Sequence, residues 1–170
     1  IEQKGIESGD NLKEQYDFFD KEDTDCKIIP IAQGWGVDDT NTFSKGLFGK
    51  LTKKQLKKVD IVATGFPTTS VYATAKRVFD MFHSTEIPEK AKSHVHLLGV
   101  TGFKRLIPAL ELIKSGFTPQ LEVLSFDSVT LSMTYVMGNQ VPTVDDFIQG
   151  KTNIKLGKKR NAVIEKYWQE

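Results

Sequence analysis

Four short apolar runs punctuate the chain, each closing on glycine or a small polar residue. They are CKIIPIAQG (Cys26–Gly34), VDIVATG (Val59–Gly65), SHVHLLGVTG (Ser93–Gly102) and LEVLSFDS (Leu121–Ser128). Their shortness and their Ile, Val and Leu content predict buried strands of a parallel sheet. Helical patterns lie between them. LTKKQLKK (Leu51–Lys58) is short and basic. SVYATAKRVFDMFHS sets Val71, Ala75, Val78, Phe79 and Phe82 at helical spacing, with Ser70 as N-cap. FKRLIPALELIKSG puts Leu106, Ile107, Leu110 and Ile113 on one face, with Gly116 as the closing glycine. Pro108 is tolerated there if the helix begins only a residue or so earlier. Strand then helix, repeated about every thirty residues, is the signature of βα units.

Composition narrows the picture without directing it. At 170 residues, 39% hydrophobic and 26% charged, the chain reads as one globular domain with a real core. The pattern divides it into a polar N-terminal segment (1–25), a βα-repeat domain (26–140) and a polar, basic C-terminal segment (141–170). That last segment holds Lys155, Lys158, Lys159 and Arg160, then the short amphipathic pattern NAVIEKYWQE. The 23 basic and 22 acidic residues give no general attraction to nucleic acid or membrane. Cys26, the single cysteine, excludes an internal disulfide framework and a multi-cysteine zinc site, and fits a reducing cytoplasm. No stretch approaches the ~20 apolar residues of a membrane span. The first 25 residues are acidic and polar, unlike a signal peptide, and the lack of an initiator Met suggests a processed chain or a piece of a longer one.

Two parallel architectures compete. An open flavodoxin-like sheet suits this length directly, whereas a (β/α)8 barrel takes about 250 residues. In both, ligands meet the carboxyl ends of the strands. Those ends carry Gln33-Gly34-Trp35, Thr64-Gly65-Phe66, Gly99-Val100-Thr101 and Asp127-Ser128. An amide, aromatic rings, glycines and one carboxylate suit a planar, hydrogen-bonding ligand. Each has a plainer use. Gln33 and Gly34 can end a strand, Gly65 and Gly99 can serve turns, and Asp127 can cap a following helix. His83, His94 and His96 do not cluster with carboxylates at strand ends, so no metal and no cofactor is implied.

The same residues resemble a known family. IIPIAQGW is similar to the "-VQGG-" strand end of the tRNA-guanine transglycosylases, and VDIVATGF to their later "-YAIGG-" strand. HVHLLGVTGFKRLIPALELIKSGF resembles their "LMGVG-P-L---V--G-D-F" segment. SFDSVT lies where the family has "-FDC-PTR", the strand bearing its catalytic aspartate. The four motifs share the family's order and spacing from Ile28 to Thr130. The resemblance implies parallel βα units forming about half, the second half, of a TIM-type (β/α)8 barrel, in place of the open sheet that size favours. The departures are specific. No cysteine follows Asp127 to serve the family's zinc site, Phe66 replaces the second glycine of the "GG" pair, and LSMTYVMGN replaces an arginine-rich stretch. A zinc-free version resembles the branch that places deazaguanine bases into DNA, the phage and genomic-island type.

That resemblance implies a nucleobase transglycosylase, related to queuosine chemistry, which exchanges guanine for a deazaguanine in DNA in preference to tRNA. Asp127 is the implied nucleophile at the sugar C1′. Gln33, Gly34, Trp35, Gly65, Phe66, Gly99 and Ser128 are the implied substrate contacts. The partners implied are the nucleic acid, the base, and a complementary N-terminal half supplying the rest of the barrel; no membrane is involved. Exchange is expected to fail in Asp127→Ala and to survive in Asp80→Ala. The alternative is a non-catalytic transglycosylase-like subunit that binds nucleic acid or a partner.

Overall fold

The structure, a computed structural model, describes residues 1–22, 26–65, 72–100 and 106–127. The polar N-terminal segment, in which the apolar pattern marks no element, is a 21-residue helix, α1 (Glu2–Glu22). Its buried positions Gly5, Gly9, Leu12 and Tyr16 recur at helical spacing, with glycine where a larger apolar residue is usual. A second helix outside the predicted set, α2 (Val37–Phe48), buries Thr40, Phe43, Ser44, Leu47 and Phe48.

These two helices pack on each other, and their glycines set how closely. A methyl group on Gly46 would lie 2.6 Å from backbone atoms of Gly5 and Ile6, and one on Gly9 would lie 2.3 Å from the Gly46 carbonyl oxygen. Gly46→Ala gains about 1 kcal/mol of helix propensity. Against that, backbone cannot rotate away as a side chain can, so overpacking at ~1–3 kcal/mol prevails. The variant is expected to unfold at lower urea concentration than the parent, with its far-UV spectrum retained.

The predicted basic helix is α3 (Lys53–Leu56), shorter than its pattern and closed at its start by a capping box between Thr52 and Gln55. It leads into β1 (Val62–Gly65). Then follow α4 (Ala73–His83), the single turn α5 (Glu89–Lys92), β2 (His94–Leu98), α6 (Leu106–Lys114) and β3 (Val123–Phe126). Helix α6 holds Pro108 in its first turn and is followed by Gly116 at φ 79°, as its pattern predicts. In α4 the buried set differs from the predicted stripe. Val78 and Phe82 are buried as expected, but Ala75 and Phe79 are only partly so, and Thr74, Arg77, Asp80 and Met81 are buried with them. Ser70, Val71, Phe103 and the 141–170 segment with its helix pattern lie outside the described residues.

The fold is mixed α/β. Strands β1, β2 and β3 lie side by side in chain order, all parallel. The Cys26–Gly34 run, expected as a strand, contributes only a parallel bridge of Ile31 to Ala63. Its ladder bonds are Ala32 N–H to the Ala63 carbonyl and Ala63 N–H to the Pro30 carbonyl, both 2.8 Å. Pro30 has no N–H to offer, which shortens the ladder at this edge. Four consecutive segments of chain thus run across the sheet in sequence order.

The two faces of the sheet differ. Ala32, Val62, Thr64, Val95 and Leu97 are buried in the core with residues of α2, α4 and α6. Helix α4 packs against both α2 and α6, so these three helices follow one another on one side of the strands. The opposite face carries the row Ile31, Ala63, His96, Ser125. There, among the described residues, Ile29 (42%), Ile31 (43%) and Val123 (45%) stay substantially exposed. Parallel sheets are ordinarily covered on both sides.

On this open face the Ser125 hydroxyl meets both His94 Nε2 (2.8 Å) and His96 Nδ1 (2.9 Å). One hydroxyl hydrogen can serve only one ring as donor, so the other ring must donate to the oxygen. Burial first, then neighbouring His96, lowers the His94 pKa; Lys27 acts the same way and Asp60 opposes. A base held neutral in the fold gives stability that is complete above its unfolded value, near 6.5, and is lost as pH falls from there through the lower folded value. Stability against urea is therefore expected to decline below about pH 6.5, and His94→Gln to flatten that decline.

Candidate active site

Where they are described, the strand ends predicted to share a face lie along one edge, while Thr101 lies outside the described residues. Gly65 pairs with Leu98. One step beyond the Leu97–Phe126 pair sets Asp127 beside Leu98, and two steps beyond the Ile31–Ala63 pair set Gln33 beside Gly65. Gln33, Gly65, Leu98 and Asp127 therefore form one row at the carboxyl edge. With strands about 4.8 Å apart, Gln33 and Asp127 stand three spacings, roughly 14 Å, from each other. They do not touch, and a molecule contacting both would have to span β1 and β2. Phe66 and Ser128 lie outside the described residues.

Asp127 is exposed. Its Oδ1 accepts the backbone N–H of Gly99 at the neighbouring strand end, and its own N–H donates to the Leu97 carbonyl at 3.2 Å. One carboxylate oxygen is thus held sideways, while Oδ2 makes no hydrogen bond among the described residues. Gly99 turns at φ 70°, and a methyl there, as at Gly65, would meet nothing within 4 Å among the described residues. Packing among the described residues therefore leaves the space before both glycines open. Gly34 is a different case. At φ 137° its added methyl would lie 2.5 Å from the Thr40 amide nitrogen, so it is the glycine that lets the loop close onto α2.

Pattern reading missed the side chains that hold this loop. Arg77 of α4 is 2% exposed, yet every donor of its guanidinium is engaged. Its Nε and Nη2 bond Thr64 Oγ1 (3.1 and 2.7 Å), and Nη2 also reaches the Ala32 carbonyl (3.2 Å). Its Nη1 bonds the Gly34 carbonyl and Thr40 Oγ1 (3.3 Å). Burial pushes the guanidinium pKa down, opposed by nearby Asp80, but an arginine remains charged. Asp80, 1% exposed, accepts the Gly36 N–H at 2.9 Å and pairs with Lys76 at 3.0 Å. Helix α4 therefore grips the Ala32–Gly36 segment by two carbonyls through Arg77 and by an amide through Asp80. Trp35 rides on that loop, half exposed, with Lys76 Nζ 5.5 Å from its ring centre. The available signal was a charged i, i+3 pair, Arg77 and Asp80, set within an apolar helix pattern.

Asp80→Ala is consequently no neutral comparison for Asp127→Ala, since it would release the loop that bears Gln33 and Trp35. Among the described residues, no group of three or more His, Cys, Asp or Glu is placed to hold a metal ion, and no helix is long and apolar enough to cross a membrane. No protein-family model, no curated protein and no solved structure matches the chain.

Proposed function

We propose that the chain is one half of a (β/α)8 barrel that exchanges nucleobases in DNA, with Asp127 as nucleophile. The observation that carries this is the placement of Asp127. It is an exposed carboxylate, one oxygen of which makes no hydrogen bond among the described residues, at a strand's carboxyl end, in one row with Gln33 and Gly65. The barrel is favoured by strand order. A flavodoxin-like sheet runs 2-1-3-4-5, never four strands in chain sequence, whereas a barrel winds in one direction with its helices outside. The open face, with exposed Ile29, Ile31 and Val123, is where the interior of such a barrel would be completed by a second half.

The chemistry asked of Asp127 suits a carboxylate. A carboxylate oxygen attacks C1′ as the bond from C1′ to N9 of guanine breaks, and guanine leaves with the bonding pair and takes up a proton. The ester so formed is stable enough to persist and labile enough to be displaced. The nitrogen of the incoming deazaguanine then attacks C1′, loses its proton, and releases the Asp127 carboxylate. Gln33 supplies an amide to the base edge, and the target nucleotide must leave its stack to reach these groups.

The test combines the full chain with a complementary N-terminal half and offers labelled deazaguanine with DNA or with tRNA. Label is expected in DNA only when both halves are present. Binding of nucleic acid with no label in either polymer would leave a non-catalytic subunit and remove the enzyme.

A further inference from the structure

We propose that Trp35 is a preformed stacking platform for the planar ring of a nucleobase, held in position by Arg77 and Asp80 of α4. An exposed tryptophan on a flexible loop would be unremarked, but this loop is pinned at successive residues. The carbonyls of Ala32 and Gly34 accept from Arg77. The Gly36 N–H donates to Asp80 at 2.9 Å, and the Gly36 carbonyl accepts from Thr40 through both its hydroxyl (2.8 Å) and its amide (3.0 Å). The Trp35 N–H itself points to Asp39 Oδ2 at 3.4 Å. Two charged side chains, each at least 98% buried, fix a loop whose central indole is half exposed. Burying charge is costly, and here it leaves an apolar ring set rigidly toward solvent, which lowers the ordering cost of any ligand that stacks on it.

Local charge decides what kind of ligand. Lys76 beside the ring invites a phosphate, but its Nζ is already shared with both oxygens of Asp80 at 3.0 Å. Asp38 and Asp39 open α2 on the other side of the loop. Among the described residues, Lys76 and Arg77 thus stand against Asp38, Asp39 and Asp80, two positive groups against three negative. The platform suits a neutral planar heterocycle and disfavours a phosphate. The choice of a nucleobase as that heterocycle rests on the base-exchange function proposed above.

Trp35 and Trp168 are the two tryptophans, so Trp168→Phe leaves Trp35 as the sole reporter in the full chain. Its fluorescence anisotropy is expected to follow tumbling of the whole protein, and guanosine to quench it saturably, whereas ribose 5-phosphate does not. By equilibrium dialysis, Trp35→Ala, which removes no core contact, is expected to weaken guanosine binding at least about fivefold, the low end for losing one base stack. Fast local depolarisation of Trp35, purely linear quenching, an equal response to ribose 5-phosphate, or unchanged dialysis in Trp35→Ala would each overturn the platform. So would shielding of Trp35 on addition of the complementary half, which would make it an interface residue. Guanosine stacking that persists where base exchange fails would sink the enzyme and spare the platform; exchange without Trp35 dependence would do the reverse.

Discussion

Arg77→Ala is expected to be the most damaging single substitution among the described residues, costing about 3–5 kcal/mol, as does breaking a buried charge network from one side. The loss is not mainly that of attraction. Removing the guanidinium leaves the carbonyls of Ala32 and Gly34 without the donors that satisfy them, alongside the hydroxyls of Thr64 and Thr40. Each such orphan costs on the order of 1–3 kcal/mol. Set against a total stability of about 5–15 kcal/mol, the variant stands near the edge of folding. Arg77→Lys keeps charge but has three donors and no planar fork, so it should recover only part of the loss. Arg77→Met keeps length and apolarity while still orphaning the carbonyls. Urea midpoints for the three should rank Lys above Met above Ala. Equal midpoints for Arg77→Ala and the parent would show that the grip on the loop contributes nothing.

Asp127→Ala is expected to behave in the opposite way: large in chemistry, small in stability. The carboxylate is exposed, and its hydrogen bond to Gly99 leaves an amide that water can satisfy. Its loss should cost no more than about 1 kcal/mol. Base exchange by the completed barrel should fall on the order of a thousandfold or more, since no other group in the row Gln33, Gly65, Leu98 can form the ester. Asp60→Asn is the proper comparison. Asp60 is paired to Lys27 at 2.7 Å, away from the strand-end row, and its loss should leave exchange unchanged. Urea midpoints and incorporation rates measured on the same preparations separate the two effects.

What the pattern of residues disclosed followed from how strongly burial constrains them. β1, β2 and β3 were legible because a strand between helices needs apolar residues, and α6 because its proline and glycine punctuate both ends. Helices α1 and α2 were not. They approach through Gly5, Gly9 and Gly46, whose backbone meets the backbone of the facing helix, so glycine stands at positions where a hydrophobic stripe shows a large apolar side chain. The Cys26–Gly34 run predicts a full strand by its shortness and its isoleucines, while the missing N–H of Pro30 limits its pairing. The shared edge of Gln33, Gly65 and Asp127 was legible because strands of successive βα units run parallel and so end on one side of the sheet. Arg77 and Asp80 left only a faint sign, a charged i, i+3 pair in an apolar helix pattern, because a buried charge looks in sequence like a solvated one; the five-donor geometry around Arg77 tells them apart.

The decisive measurement is a covalent one. The full chain with its complementary half is allowed to react with DNA in the absence of incoming base, denatured, digested and weighed by mass spectrometry. A nucleotide adduct is predicted on the peptide containing Asp127, discharged by adding deazaguanine and missing from Asp127→Ala. An adduct on another residue, or undiminished base exchange in Asp127→Ala, would contradict the assignment of Asp127 as nucleophile.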